Sequence, residues 1–185
     1  MRERALYLDI IERWRNLPKP TIAAVQGVAI AGGVMLTWAC DLIVCGEDAR
    51  FLVNSAADMG VPGIELFQHP FELGVRKAKE WLFTGDWLDA DEALRLGMVN
   101  HVVPRDTLEA FTLALAPRIA RTSRFTLKLA KESINAAQDR MGRSDAIRTA
   151  FANHQLAHAH NLLIHGMPID PTNLPASLGA RMGKE

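Results

Sequence analysis

The sequence predicts a mixed α/β core followed by a helical C-terminal part, and three observations carry that expectation. Lys19 to Asp41 runs from an apolar, β-branched stretch through Gly27 to a glycine pair, Gly32-Gly33, and on into an apolar helix. Leu42-Ile43-Val44-Cys45 is a continuous apolar run, the pattern of a strand buried on both faces. Beyond Val103 the periodicity is helical only.

The elements follow in order. Glu3 to Asn16 reads as a helix with Leu6, Ile10, Trp14 and Leu17 on one face, ended by Pro18 and Pro20. The strand up to Val25, the Gly27 turn and the helix from Gly32 come next. Asp41–Gly46 and Arg50–Val53 read as strands, and Asn54–Pro70, with Gly60, Pro62, Gly63 and Pro70, as an irregular active-site loop. Leu73, Val75, Ala78, Trp81 and Leu82 mark a helix ending near Thr84-Gly85. Asp89 and Glu92 form a capping box for a short helix closed by Gly97. Met98–Val103 is a strand. Leu108, Phe111, Leu115 and Ile119 form the apolar face of one helix, and Leu127, Ala130, Ile134 and Ala137 that of another. A last helix spans Ser144 to Leu163, and the tail from Met167, with Pro168, Pro171 and Pro175, is expected to be extended.

Composition bounds the function. At 185 residues, with 49% hydrophobic and 23% charged residues, the chain is one ordinary globular domain. A formal net charge of +0 gives no electrostatic basis for binding nucleic acid or an anionic membrane. No apolar run approaches a membrane span, and Met1-Arg2-Glu3-Arg4 does not lead into a signal-peptide core. Cys40 and Cys45 are expected to be buried free thiols, which fits a reducing cytoplasm.

The chemistry centres on the glycine pair. A helix beginning at two glycines leaves backbone N–H groups unpaired and open to approach, and such an end attracts an oxyanion. Tight helix–strand packing is the competing explanation.

The order Val25-Gln26-Gly27-Val28-Ala29-Ile30-Ala31-Gly32-Gly33, followed by Ala39-Cys40-Asp41, resembles the signature of the enoyl-CoA hydratase/isomerase (crotonase) family. The resemblance continues through Glu47-Asp48-Ala49-Arg50-Phe51, Gly60-Val61-Pro62-Gly63, Leu82-Phe83-Thr84-Gly85, Asp91 to Asn100, Val102-Val103-Pro104 and Ala130-Lys131-Glu132-Ser133-Ile134-Asn135, covering roughly Leu17 to Ala137. It implies a spiral of ββα turns, here a partial core over residues 1–103, and a C-terminal helical oligomerisation region over 104–185. It further implies a homotrimer or hexamer, and an acyl-CoA thioester as substrate with no separate cofactor.

By the same resemblance, the Gly32 N–H stabilises the enolate oxygen, and Ala29, Ala31 and Gly33 line the coenzyme A-bearing ligand. The family's second oxyanion donor and much of its pantetheine and adenine pocket belong to upstream ββα units that this chain is expected to lack. The edge strand so exposed would need covering.

The family's two catalytic glutamates correspond to Met35 and Ser55, neither of which serves as a base at neutral pH. Replacement acids are sought in Asp58 and Glu65, which bracket the Gly60–Gly63 turn, with Glu65 preferred. His69 is a further candidate base, against a packing role. His154 and His158 stand at i, i+4 and could face one metal. No Glu or Asp nearby in sequence completes that set, and an exposed helix face explains the spacing, so no metal is expected.

The expected function is enoyl-CoA hydratase/isomerase chemistry with an altered acid/base set. Two alternatives stand beside it: a non-catalytic acyl-CoA-binding or scaffold protein, and a truncated inactive fragment.

Overall fold

The computed structural model describes residues 2–174. The chain opens with helix α1, a π-helical stretch Arg4–Asp9 continuing as Ile10–Arg15. Strands β1 (Ile22–Val25) and β2 (Val28–Ile30) lead into α2 (Gly32–Trp38). The same order repeats in β3 (Leu42–Gly46), β4 (Arg50–Leu52) and α3 (Ser55–Met59). Then come α4 (His69–Leu73), α5 (Val75–Thr84), β5 (Leu88–Asp89), α6 (Ala90–Leu96) and β6 (His101–Val103). Three long helices finish the chain: α7 (Leu108–Ala120), α8 (Arg124–Arg140) and α9 (Arg143–His165).

Two ββα turns are stacked. β1 pairs with β3 in parallel, Ile22 beside Leu42 and Val25 beside Cys45, while β2 pairs with β4, Val28 beside Arg50 and Ile30 beside Leu52. β6 extends the first ladder and β5, antiparallel, the second. β1 and β2 are therefore edge strands. The core is a cluster including Val34, Phe51, Val53, Leu66, Trp81 and Leu88.

Local chemistry accounts for several boundaries. The Asp89 side chain accepts from the Glu92 N–H at 2.8 Å, and Gly97 closes α6 at φ 80°, as the capping box requires. The expected single helix around Leu73–Thr84 is broken instead at Gly74 (φ 73°, ψ 158°), which separates α4 from α5.

Other expectations are corrected. The region 54–70 is not irregular throughout: Ser55–Met59 forms a turn of helix before Gly60, at φ 62°, stops it. In α1 the buried positions are Leu8, Ile11 and Arg15, whereas Leu6, Ile10 and Trp14 face outward. The helix carries two apolar stripes, and the one containing Arg15 is the one that reaches the side chains of α8. In α8, Ile134 is 69% exposed and the buried position is Lys131. Leu127, Ala130 and Ile134 line a cleft of about 990 Å³ between α8 and the core rather than a packed interface. The tail through Leu174 does not run free: the Asp170 N–H donates to the Met59 carbonyl at 2.9 Å. Pro175 lies outside the described residues.

Buried charges join the layers. The Arg143 guanidinium, 1% exposed, donates to Gln68 Oε1 at 2.7 and 3.1 Å and to Glu12 Oε1 at 2.6 Å. It also lies 3.5 Å from Asp139. Arg15 reaches Gln138 at 2.9 Å and the Asn135 carbonyl at 3.2 Å. Lys131 Nζ donates to Asp41 Oδ2 at 2.8 Å and to the Lys19 carbonyl at 3.1 Å. These contacts hold α8 and α9 to α1 and to the strand layer. Truncating Arg143 to Ala leaves the buried Gln68 amide without its partner and Glu12 and Asp139 without their counter-charge, and urea unfolding is expected to show a loss of about 3 kcal/mol. A loss within the range of ordinary surface substitutions, about 0.5 kcal/mol, refutes this role.

Candidate active site

The connection from β2 to α2 is the most constrained backbone in the molecule. Ala31 sits at φ 45° and ψ −100°, the one non-glycine residue at positive φ among the described residues. Its Cβ makes this conformation cost about 1–3 kcal/mol. The turn is fixed from both sides: the Ala31 N–H donates to the Leu52 carbonyl at 2.9 Å, and the Ala31 carbonyl accepts from the Met35 N–H at 3.1 Å.

The turn leaves the N–H groups of Gly32, Gly33 and Val34 without a protein acceptor among the described residues. A Cβ at Gly32 would meet no atom within 4 Å, whereas one at Gly33 would meet Ala29 Cβ at 3.6 Å. Gly33 therefore serves packing, and Gly32 faces open space. Unpaired amides at a helix start are the kind of group that can meet an oxyanion. Ala29 is buried in the core, so only its backbone could border a ligand, while Ala31 and Gly33 are half-buried.

The acid/base candidates are less concentrated. Met35 is 3% exposed and belongs to the core cluster. Ser55 is buried with its hydroxyl unpartnered. Asp58, also buried, accepts from Asn54 Nδ2 at 2.7 Å and lies one helical turn from Ser55, on the same side of α3. Glu65 is half-buried on the segment after the Gly60–Gly63 turn. A cavity of about 620 Å³ opens between this turn and α9, lined by Ala56, Gly60, Val61, Pro62, Asn153 and His160 among others. Neither this cavity nor the larger cleft is lined by Gly32.

His69 proves to be a packing residue. It is fully buried, edge-on to Trp38 at 5.0 Å and close to Phe67 at 4.8 Å, and both ring nitrogens lack a partner. Burial lowers its pKa from 6.5 to about 3, so the ring is neutral in the fold.

The histidine pair on α9 is a correction. His154 is buried, not on an exposed face, and a carboxylate does lie beside the pair, supplied by Glu3 immediately before α1. Burial opposes ionisation of Glu3, but a hydrogen bond from Gln155 and the two imidazoles hold its carboxyl below the usual range. The sequence held no signal for this, because the contact joins the two ends of the chain.

The motif residues Asp41, Asp48, Asn100 and Lys131 are architectural. Asp41 Oδ2 accepts from the Thr21 N–H at 2.7 Å and from Lys131. Asp48 accepts from the Gly27 N–H at 3.1 Å and pairs with Arg105. Asn100 Oδ1 accepts from the Ile43 N–H at 2.8 Å.

A strained turn presenting bare amides beside stacked ββα turns defines the class. The family model for enoyl-CoA hydratase/isomerase matches residues 3–165, and the chain belongs to that family. It is 48% identical over 154 residues to a putative enoyl-CoA hydratase, EchA13, of Mycobacterium tuberculosis, covering 83% of this chain and 48% of that one. A putative enoyl-CoA hydratase of Thermus thermophilus is 36% identical over 143 residues, 77% of this chain and 56% of its own. The chain thus spans about half the length of the curated relatives it matches.

Among solved structures, a probable enoyl-CoA hydratase from Mycobacterium smegmatis superposes with TM-score 0.88 at 49% identity, covering 91% of this chain and 68% of that one. A monofunctional enoyl-CoA isomerase from the same organism superposes at 0.64 with 35% identity, covering 71% and 62%. The fold is the crotonase-like α/β spiral followed by C-terminal helices.

Between its folded pKa of about 3 and the unfolded value near 6.5, His69 takes up a proton only when the chain unfolds. Stability is therefore expected to fall as pH drops through that window, by up to about 1.4 kcal/mol per pH unit from this group. His69→Phe should flatten this dependence in urea titrations at pH 7 and pH 5. Identical pH slopes in variant and parent refute the assignment.

Proposed function

We propose that this chain acts on an acyl-CoA thioester, holding the thioester carbonyl at the Gly32 N–H and stabilising the enolate oxygen that develops there. The observation carrying this reading is the bare, open amide at Gly32, set by the strained Ala31 turn, in a member of the enoyl-CoA hydratase/isomerase family. One such donor in a dry site supplies about 2.7–4 kcal/mol of transition-state stabilisation. Proton movement at the α-carbon falls to Glu65 or Asp58, because a core methionine and a serine occupy the two positions where the family resemblance implies glutamates. Simple hydration is accordingly expected to be slow.

A second reading, acyl-CoA binding without turnover, is favoured by one observation: Met35 is sealed in the core and presents nothing to a ligand. Exposed apolar side chains on α7 and α8, among them Leu113, Phe125 and Ile134, support assembly into trimers or hexamers. The free thiols Cys40 and Cys45 fit a reducing cytoplasm. Among the described residues no helix is long and apolar enough to cross a membrane.

Gly32→Ala separates folding from function. The added methyl has room, and alanine favours helix, so stability should hold or rise by about 0.5–1 kcal/mol. The same methyl occupies the approach to the amide, and turnover of a short trans-2-enoyl-CoA, or its calorimetric affinity, should fall about 10²-fold. Undiminished binding or turnover in a folded variant removes the oxyanion assignment. For the acids, Glu65→Gln is expected to abolish residual turnover and Asp58→Asn to reduce it. Turnover surviving both substitutions together places the base elsewhere.

A further inference from the structure

The geometry points to a zinc-class divalent metal site formed by Glu3, His154 and His158, clasping α1 to α9. His154 Nδ1 lies 3.0 Å from the Gly63 carbonyl oxygen, and His158 Nδ1 lies 2.5 Å from the Pro168 carbonyl oxygen. Carbonyl oxygens only accept, so each Nδ1 carries the proton. In a neutral ring that leaves each Nε2 as a lone pair. Both lone pairs are aimed at one atom, Glu3 Oε1, at 3.0 Å from His154 and 3.4 Å from His158. With both rings neutral, three acceptors converge with no proton between them. Such a cluster repels itself unless a cation sits inside it.

Two kinds of cation satisfy the cluster. A proton on one imidazole pairs it with Glu3 but leaves the other ring's Nε2 facing the same oxygen, and protonating both places two like charges on rings whose centroids are 4.5 Å apart. One divalent ion needs no proton and uses all three atoms as ligands. Tetrahedral bonds of about 2.0–2.1 Å set ligand atoms about 3.3 Å apart, which matches the two separations found. The three ligand atoms all lie within 4.8 Å of one another.

The surroundings suit a metal as well. Each histidine is oriented by a backbone carbonyl on its far nitrogen, the support that fixes a metal-binding tautomer. Gln155 Nε2 donates to Glu3 Oε2 at 2.6 Å, which holds the other carboxylate oxygen aside. Two imidazoles with one carboxylate select a zinc-class ion over calcium or magnesium, which prefer all-oxygen shells. A water completes the fourth position. Because His154 also grips Gly63, the ion ties α1 and α9 to the turn between Asp58 and Glu65.

The test uses the full chain after chelator treatment. Zn²⁺ is expected to raise the melting temperature, and Co²⁺ to bind one ion per chain with the visible absorption of a tetrahedral site. Glu3→Gln and His158→Ala, both at partly exposed positions, should each weaken Co²⁺ binding by at least about tenfold while the metal-free protein stays folded by circular dichroism. His160→Ala, on the same helix, should bind as the parent does. No absorption band at millimolar Co²⁺ overturns the proposal, as does parental affinity in Glu3→Gln and His158→Ala. NMR showing both imidazoles doubly protonated at neutral pH, with Zn²⁺ leaving them unchanged, also overturns it.

Discussion

The structure depends on the most deeply buried cation among the described residues, the Arg143 guanidinium at the start of α9. The cost of burying it is met by Gln68 before α4, Glu12 on α1 and Asp139 at the end of α8. Those partners come from three separate stretches of chain. Satisfying one planar group therefore fixes where the helical layer sits on the strand layer. From that anchor α9 passes over the Gly60–Gly63 turn, where His154 meets the Gly63 carbonyl and Asn161 Nδ2 donates to the Gly60 carbonyl at 3.2 Å. The segment carrying Asp58 and Glu65 is positioned by helix contacts far from it in sequence.

The family pattern divides into two kinds of residue. Asp41, Asp48, Asn100 and Lys131 satisfy backbone N–H groups or pair with each other where strands begin and end. Their types are set by hydrogen-bond accounting in places that secondary structure leaves unpaired. Ala31 and Gly32 differ. The turn between them is strained and its amides are left bare, which structural accounting alone does not require. Strain at such a turn persists because the surrounding fold holds it, here through the Leu52 carbonyl and the Met35 N–H. The chain's membership of the enoyl-CoA hydratase/isomerase family stands beside that observation.

Much of this was legible in the amino-acid order, because the signals are local. Buried strands announce themselves by unbroken apolar runs, Asp89 and Glu92 by a cap, and Gly32 by the absence of a side chain at a helix start. The failures were failures of facing. Ile134 and Leu127 have the spacing of a core stripe yet border an open cleft, and Lys131, the charged residue between them, is the one buried, through Asp41. Periodicity tells which residues share a side of a helix, not what lies opposite that side.

Order along the chain was enough for the strands, the glycine-hinged helix and the family, since each rests on interactions within a few residues. Tertiary packing alone decided that His69 is a dry core ring between Trp38 and Trp81, and that Glu3 meets His154 and His158. Burial and the convergence of distant side chains arise only when the helices dock, and no local pattern encodes them.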